Sequence, residues 1–195
     1  MVSVDGFRPA AIEQLQADGE LEHFTRLQRE GVWTHNARSD YGWTDTVPNH
    51  VTMVTGRGVD GAAGHNYTNN GFVGESDSLH ANKGSYLASV FDLAHDHGLS
   101  TAFYRSKLKL AIIDQSYDAA NGAPDLTGDD DGPAKIDIAR YSVTNSESGS
   151  LMDLLEVDLL ETAVQLTFLH LVDPDPVGHS SGWDSAAYLE AVRRI

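Results

Sequence analysis

In this 195-residue chain, the first residue that could act in catalysis or metal binding is an aspartate at the end of the first apolar run. Asp5 follows Val2-Ser3-Val4 directly, and in open α/β sheets the functional crevice lies outside the carboxyl ends of the strands. A carboxylate at that point can hold a divalent metal ion. Taken alone, Asp5 is better explained as a turn or helix-capping aspartate ahead of Pro9.

A hydroxyl nucleophile is the second feature, in the segment Thr46-Val47-Pro48-Asn49-His50. A threonine at the start of a short helix has its hydroxyl in the positive end of the helix dipole, where an anionic phosphate is stabilised. A metal ion at the same place would lower the pKa of the hydroxyl further. Taken alone, the segment is an ordinary threonine N-cap with a proline early in the helix.

Two further segments carry groups suited to a phosphate ester and to a metal ion. Asn70 lies beside Gly71, where its amide could donate a hydrogen bond to a phosphoryl oxygen or could simply form a turn. Asp175 and His179 follow an apolar run at residues 166–172, and a carboxylate with an imidazole suits zinc. The proline and glycine between them permit a tight loop that directs both side chains the same way.

The elements that must position these residues alternate between strands and helices. β-branched and apolar runs predict three strands, over residues 2–4, 101–104 and 166–172. Helical spacing of apolar residues predicts six helices, over residues 10–17, 20–30, 48–55, 86–94, 151–160 and 186–195. Turn-rich loops are predicted over residues 57–82, 114–133 and 173–182. This alternation indicates an α/β layered fold around a largely parallel sheet.

These motifs together resemble those of the type I phosphodiesterase/nucleotide pyrophosphatase family of the alkaline phosphatase superfamily. Val2-Ser3-Val4-Asp5-Gly6-Phe7-Arg8-Pro9 is similar to the family's opening strand and metal-binding aspartate. Residues 46–56 resemble the nucleophile motif, in which Thr46 is the attacking residue, and residues 65–71 place Asn70 at the phosphate-binding asparagine. Asp175 and His179 match two ligands of another metal ion. The resemblance follows the family's order from residue 2 to about residue 190.

The resemblance implies an alkaline-phosphatase-like three-layer fold and two divalent metal ions, of which zinc is the expected identity. Asp5 and Thr46 would bind one ion, and Asp175 and His179 would bind the other. The family's later Asp-His pair and a further histidine complete this site, and none of them appears in this sequence. We therefore expect residues 1–195 to be a single catalytic domain that is truncated within its last helix.

Two lysines after the second predicted strand could reach the same site. Lys107 and Lys109 lie on one side of an extended segment, and in similar enzymes lysines at this place can face the substrate. The alternative is a pair of exposed basic residues. Asp173 could support a metal ligand or cap a loop, and His170 in mid-strand is typical of a core histidine with its hydrogen bonds satisfied.

Composition limits the partners of the chain. Acidic residues outnumber basic ones 29 to 13, which gives a formal net charge of −16 and argues against a nucleic-acid scaffold. A small phosphate ester such as a nucleotide is still compatible, because a bound metal ion reverses the local field. The absence of cysteine excludes disulfides and thiolate metal sites. No membrane span or signal peptide is predicted, so the chain is expected to be cytoplasmic, or secreted or periplasmic if a leader precedes it.

The expected function is hydrolysis of phosphodiester or pyrophosphate bonds by a metal-dependent enzyme that uses Thr46 as its nucleophile. A phosphomonoesterase or a phosphonoacetate-type hydrolase of the same superfamily is an alternative, because the nucleophile motif does not fix the leaving group. A non-catalytic fragment with incomplete metal sites is the alternative from a different class.

Overall fold

A four-stranded, all-parallel sheet forms the centre of the protein in a computed structural model that describes residues 1–125, 127–142 and 148–195. The strand order is β1-β4-β2-β3, so β1 and β3 are the edge strands of the described sheet. The strands are β1 (Val2–Val4), β2 (Thr101–Arg105), β3 (Ile138–Tyr141) and β4 (Leu166–Leu171). The α/β fold with a largely parallel sheet, as in the alkaline phosphatase superfamily, is confirmed.

Helices connect the strands and cover the sheet. In chain order they are α1 (Pro9–Ala17), α2 (Glu22–Glu30), α3 (Thr46–Thr55), α4 (Leu79–Lys83), α5 (Val90–Asp96), α6 (Ala111–Ser116), α7 (Ser148–Glu161), α8 (Pro174–Ser181) and α9 (Ala186–Arg193), with a 3-10 turn at Leu108–Leu110 before α6. Within the described part of the chain, none of these helices is long and apolar enough to cross a membrane.

Alternation along the two central strands divides the core between the two faces of the sheet. Phe103 of β2 is the register partner of Phe168 of β4, and both pack with α3, α5 and α6 on one face. Tyr104 and its register partner Leu169 point to the other face, where they pack against Leu151 of α7. The sheet is therefore covered by helices on both faces, and β2 is buried along its whole length.

The helix that carries Asp175 and His179 corrects the sequence prediction. Residues 173–182 were expected to form a turn-rich loop, yet Pro174–Ser181 is the helix α8. Both prolines of this segment lie in its first turn, where a missing backbone N–H removes no intrahelical hydrogen bond. Asp175 and His179 therefore lie one turn apart on one helical face and not on a tight loop.

Other boundaries differ for identifiable reasons. The helix expected over residues 86–94 begins only at Val90, because Ser89 and Asp92 form a reciprocal capping box at its start. A short helix, Leu79–Lys83, overlaps the end of the loop expected over residues 57–82, and the Ser78 hydroxyl accepts a hydrogen bond from the Ala81 amide at the start of this helix. The first residues of the second expected loop belong to α6. Strand β3 was not predicted, and its exposed middle residues explain the weak apolar signal.

Candidate active site

A cleft of about 920 Å³ opens at the carboxyl edge of the sheet. Asp5 follows β1, Lys107 follows β2 and Asp175 follows β4, so neighbouring parallel strands bring these three residues to one edge. All seven residues predicted for the site line the cleft: Asp5, Thr46, Asn70, Lys107, Lys109, Asp175 and His179. The structure thus brings the predicted residues together, while their chemical roles remain predictions.

Gly6 allows the segment that follows β1 to lie very close to the segment that follows β4. The Asp5 amide donates to the Leu171 carbonyl at 2.9 Å, which extends the β1–β4 pairing by one residue. Gly6 then turns the chain with φ of +67°, and a Cβ atom there would lie 2.6 Å from the Asp175 Cα atom. Only glycine combines this backbone conformation with so close an approach. Gly6 therefore allows the Asp5 and Asp175 carboxylates to face each other.

The two carboxylates share one ammonium group. The Lys107 Nζ atom donates to Asp5 Oδ2 and to Asp175 Oδ2, at 2.6 Å in each case, and it also lies 3.3 Å from the Thr46 hydroxyl. Because Asp5 Oδ2 and Asp175 Oδ2 each lie 2.6 Å from the same nitrogen atom, the two oxygens are separated by no more than twice 2.6 Å. This separation is well below the roughly 12 Å that a two-metal site allows between the two carboxylates. Lys107 is paired and largely buried, which excludes the alternative of a freely exposed basic residue.

The Asp5 carboxylate is held in its ionised form. Burial raises its pKa, but the hydrogen bond from His170 and the ammonium of Lys107 outweigh burial and hold the pKa far below its usual range. Its Oδ2 atom also accepts a hydrogen bond from the Thr46 hydroxyl at 3.1 Å. Asp5 is therefore suited to orienting the hydroxyl and attracting a cation, and it is a poor acceptor for a proton.

Thr46 is the first residue of α3, so its hydroxyl lies at the positive end of that helix. Neighbouring side chains hold this first turn. The Asn49 amide donates to the Trp43 and Asp45 carbonyls at 2.7 and 2.9 Å. The His50 ring bonds the Thr46 carbonyl through Nδ1 at 2.6 Å and the Ser3 hydroxyl through Nε2 at 2.9 Å. These contacts tie the nucleophile candidate to β1.

His50 holds this position as a neutral ring. Burial lowers the pKa of His50 to about 4, and the neighbouring His170 ring adds to the effect. The two rings meet edge to face with their centroids 4.8 Å apart. A neutral ring that donates from Nδ1 to the carbonyl and accepts at Nε2 from the serine satisfies both of its nitrogen atoms.

Asn70 and Lys109 form a polar group beside the start of α3. The Asn70 Oδ1 atom accepts from the Val47 amide at 3.1 Å and from Lys109 Nζ at 3.0 Å. Burial lowers the pKa of Lys109, and the nearby charge of Lys107 lowers it further. A backbone amide, a side-chain amide and an ammonium group are therefore grouped at one helix start, where an anionic oxygen would be stabilised.

His179 completes the other side of the cleft. Its Nε2 atom lies 3.5 Å from Asp175 Oδ1, one helical turn away on α8, and its side chain is 70% exposed. The ring packs edge to face on Trp183 with a centroid distance of 5.0 Å. His179 is thus oriented toward Asp175 while one side remains open to solvent.

Two further residues behind the cleft were not predicted to support it. His170, read from the sequence as an ordinary core histidine, is fully buried, and its Nε2 atom lies 3.4 Å from Asp5 Oδ2. The Ser106 hydroxyl lies 3.1 Å from Nδ1 of the same ring. Side chains alternate along β4, so His170 lies on the face opposite to Leu169 and Leu171 and points toward Asp5. This alternation is the feature of the sequence from which the contact of His170 with the site could have been predicted.

Other histidines and acids have structural roles away from the cleft. His65 bonds the Thr52 hydroxyl and accepts from the Tyr67 amide, both at 3.1 Å. The buried Asp173 carboxylate accepts from the Ser148 amide at 2.9 Å and so caps the start of α7. Asp173 was expected either to support a metal ligand or to cap a loop, and the structure favours a capping role.

The side chains that line the cleft are of the chemical types that bind a divalent cation. Asp5 and Asp175 already converge on one cation, the Lys107 ammonium, and a hydroxyl and an imidazole lie beside them. Within the part of the chain that the structure describes, however, no group of three or more histidine, aspartate or glutamate side chains is arranged to hold a metal ion. The expectation that these side chains bind metal ions therefore stays a prediction.

Residues 1–195 match the family model described as type I phosphodiesterase / nucleotide pyrophosphatase, and the chain therefore belongs to that family. The match covers the whole of the sequence. It agrees with the α/β fold and supports phosphoester hydrolysis in general, with small phosphate esters as the substrates. The family is typically metal-dependent.

Proposed function

Because this chain is a member of that family, we propose that it hydrolyses phosphodiester or pyrophosphate bonds with Thr46 as the nucleophile. The observation that carries the proposal is the position of the Thr46 hydroxyl. Thr46 is the first residue of α3 and lines the cleft, and its hydroxyl is oriented by a hydrogen bond of 3.1 Å to the ionised Asp5 carboxylate. The start of a helix is also the place where the backbone stabilises an anionic phosphate.

The reaction would pass through a covalent ester of Thr46. The Thr46 Oγ atom forms a bond to phosphorus as the bond to the leaving oxygen breaks, and the hydroxyl proton is lost to solvent. Water then cleaves the threonine ester and restores the hydroxyl. Asp5 orients the hydroxyl, and the neutral His50 fixes the turn that carries it.

The metal ions in this proposal would use side chains on both sides of the cleft. Asp5 and Thr46 would hold one ion, Asp175 and His179 would hold the other, and zinc suits this mixture of oxygen and nitrogen ligands. Such ions supply a lower pKa at the threonine hydroxyl and positive charge beside the phosphoryl oxygens. The chain itself contributes the geometry: two carboxylates from different strands, held at one edge by the Gly6 turn.

Asn70 and Lys109 would bind the phosphoryl group. The Val47 amide and the Lys109 ammonium both donate to Asn70 Oδ1, at 3.1 and 3.0 Å, and these contacts hold the Asn70 side chain and Lys109 side by side in the cleft. The Asn70 amide, which the fold fixes before the substrate arrives, would stabilise charge that develops in the transition state. We assign substrate binding to Asn70, Lys107 and Lys109 on this basis.

A second candidate keeps the same site and nucleophile. Lys107 and Lys109 place two ammonium groups in one cleft, which favours a substrate with a second anionic group beside the phosphoryl group. Phosphonoacetate has such a group in its carboxylate, and a phosphomonoester carries its second negative charge on the phosphoryl group itself. Comparing the rates for a chromogenic diester, its monoester and phosphonoacetate separates the candidates.

The test of the proposal compares three variants of the chain with zinc present and a chromogenic phosphodiester as substrate. Thr46→Ala is expected to abolish turnover, whereas Thr46→Ser retains part of it because the attacking oxygen is kept. Thr162→Ala is the matched control, since Thr162 is exposed, directly follows α7 and does not line the cleft. Turnover by Thr46→Ala equal to that of the Thr162→Ala control would refute the role of Thr46. A failure of every protein to hydrolyse any of the substrates would favour the non-catalytic fragment.

A further inference from the structure

A side pocket of about 390 Å³ adjoins the cleft, and Lys109 lines both of these cavities. The rest of its lining comes from the loop that follows Asn70 and from the segment at the start of α6: Gly71, Phe72, Val73, Glu75, Leu108 and Ala111. The Lys109 ammonium donates to Asn70 Oδ1 at 3.0 Å, and Gly71 follows Asn70 directly. The side pocket therefore begins at residues to which substrate binding is assigned above.

Two apolar side chains of the side pocket are open to solvent. Phe72 is 81% exposed and Leu108 is 60% exposed, whereas Leu110 on the same 3-10 turn is fully buried. Single exposed apolar residues are common on protein surfaces, but these two line one concave pocket, and its volume is typical of small-molecule sites. A bound apolar group would remove both side chains from water, which favours binding.

Hydrogen bonds fix the wall of the side pocket that carries Phe72. The Asn69 side-chain amide donates to the Phe72 carbonyl at 2.9 Å. The Gln115 side-chain amide donates to the Gly74 and Asp77 carbonyls, at 2.7 Å in each case. Because Gln115 belongs to α6, these bonds join the loop to the helix whose start forms the opposite wall. The side pocket is thus formed by the fold before any ligand binds.

The charges of the side pocket favour an uncharged occupant. Among the described residues that line it, Glu75 and Lys109 are the charged ones. An anionic group inside the pocket would be repelled by the Glu75 carboxylate, and a cationic group would be repelled by the Lys109 ammonium. An uncharged apolar group meets neither cost and contacts Phe72 and Leu108.

We propose that this side pocket binds the uncharged organic group of a phosphate-ester substrate, so that the chain prefers esters with a bulky apolar or aromatic group to those with a small one. The inference rests on the proposed function, in which Asn70 and Lys109 hold the phosphoryl group. The organic group would then lie between Phe72 and Leu108, and an aromatic ring could pack against the ring of Phe72. Phe72 and Leu108 determine specificity in this proposal and take no part in bond cleavage.

The experiment compares two phosphonates that carry the same charged group but differ in their organic group. Phenylphosphonate and methylphosphonate are titrated into the full 195-residue chain by calorimetry, in the zinc-containing assay buffer and at a pH above the second ionisation of both. Neither ligand contains an ester bond, so binding is measured without hydrolysis. The unaltered chain is expected to bind phenylphosphonate about tenfold more tightly, within the range that an added apolar group gives in a hydrophobic pocket.

The variants Phe72→Ala and Leu108→Ala should each reduce this preference to about threefold or less. Phe72→Leu keeps an apolar wall and should restore part of it. The controls are Leu160→Ala and Leu93→Ala, because Leu160 is 81% exposed and Leu93 is 61% exposed, and neither lines the side pocket. Both controls should keep the full preference. Since all four positions are exposed, thermal unfolding should give nearly the same midpoint for every variant.

Lys109→Met separates the phosphoryl site from the side pocket. This change removes the ammonium and keeps most of the apolar stem, so it should weaken the binding of both phosphonates by a similar factor. The ratio between the two ligands should therefore remain near tenfold. A loss of the preference in Lys109→Met alone would assign it to the ammonium and contradict the role of Phe72 and Leu108.

Three results would overturn the proposal: equal binding of the two phosphonates by the unaltered chain, no binding of either, or an unchanged preference in Phe72→Ala. The proposed reaction can fail separately. A preference that depends on Phe72, in a chain whose hydrolysis does not depend on Thr46, would support the side pocket and remove the reaction. Hydrolysis that depends on Thr46, without any such preference, would leave the reaction in place and remove the side pocket.

Discussion

The Thr46 hydroxyl donates a hydrogen bond to the Asp5 carboxylate across 3.1 Å, although the two residues are 41 positions apart in the chain. This contact joins the start of a helix to the end of the first strand. It brings the candidate nucleophile to a carboxylate whose pKa the hydrogen bond from His170 and the Lys107 ammonium hold far below its usual range.

Replacing Gly6 by alanine is expected to destabilise the protein and to loosen the cleft. The added Cβ would lie 2.6 Å from the Asp175 Cα atom in a backbone with φ of +67°. We expect a loss of at least about 3 kcal/mol in the free energy of unfolding, from backbone strain and the clash together. Gly19→Ala is the control, because its φ is +80° but its Cβ would meet nothing within 4 Å. That control should lose only about 1 kcal/mol. Equal losses measured by chemical denaturation would mean that the contact with Asp175 is unimportant.

The stability of the protein should fall between pH 7 and pH 5 in part because of His50. Burial lowers the folded-state pKa of His50 from 6.5 to about 4, so in this range the unfolded chain binds a proton that the folded chain does not. Stability from this residue is complete above the unfolded pKa of 6.5 and is lost as the pH falls toward 4, by roughly 2 kcal/mol at pH 5.

Denaturation of His50→Gln at both pH values provides the measurement. The variant should lose less stability between pH 7 and pH 5 than the unaltered protein. The exposed His23 supplies the control, and His23→Gln should behave as the unaltered protein does. If His50→Gln and His23→Gln show the same pH dependence, His50 is not the group responsible.

Removing Lys109 should weaken substrate binding more than it slows the chemical step. Its ammonium lies beside Asn70 and not beside the Thr46 hydroxyl, so its proposed contact is made in the ground state and the transition state alike. Loss of such uniform binding raises KM, by roughly tenfold for one charged contact, and leaves kcat almost unchanged. Lys83→Ala is the control, because Lys83 is half-buried at the end of α4, donates to the Ala62 carbonyl and does not line the cleft. A fall in kcat with an unchanged KM in Lys109→Ala would place this lysine in the chemistry instead.

The sequence was sufficient to predict the strands that end at the site, because their apolar runs are local signals. Asp5 and Asp175 could be assigned to one edge because the carboxyl ends of parallel strands meet there. Helix α8 could not be predicted, since two prolines within three residues usually indicate a turn, and only their place in the first turn makes them compatible with a helix.

The bridging contact of Lys107 could not be predicted for a different reason. Its carboxylate partners are 102 and 68 residues away, so no local pattern records the pairing. The same holds for His170, whose contact with Asp5 spans 165 residues. Residue types and the strand alternation limited where these side chains could point, but long-range packing decided which charges meet.

The most direct test of the central claim is a search for a covalent ester on Thr46. The chain is incubated with zinc and a phosphodiester that has a good leaving group, quenched in acid and digested, and its peptides are measured by mass spectrometry. Thr46, and no other residue, is expected to show a mass increase that matches the phosphoryl portion of the substrate, and this increase should be absent in Thr46→Ala. Hydrolysis of the substrate with Thr46 unmodified in the quenched protein, and at an unchanged rate in Thr46→Ala, would contradict it.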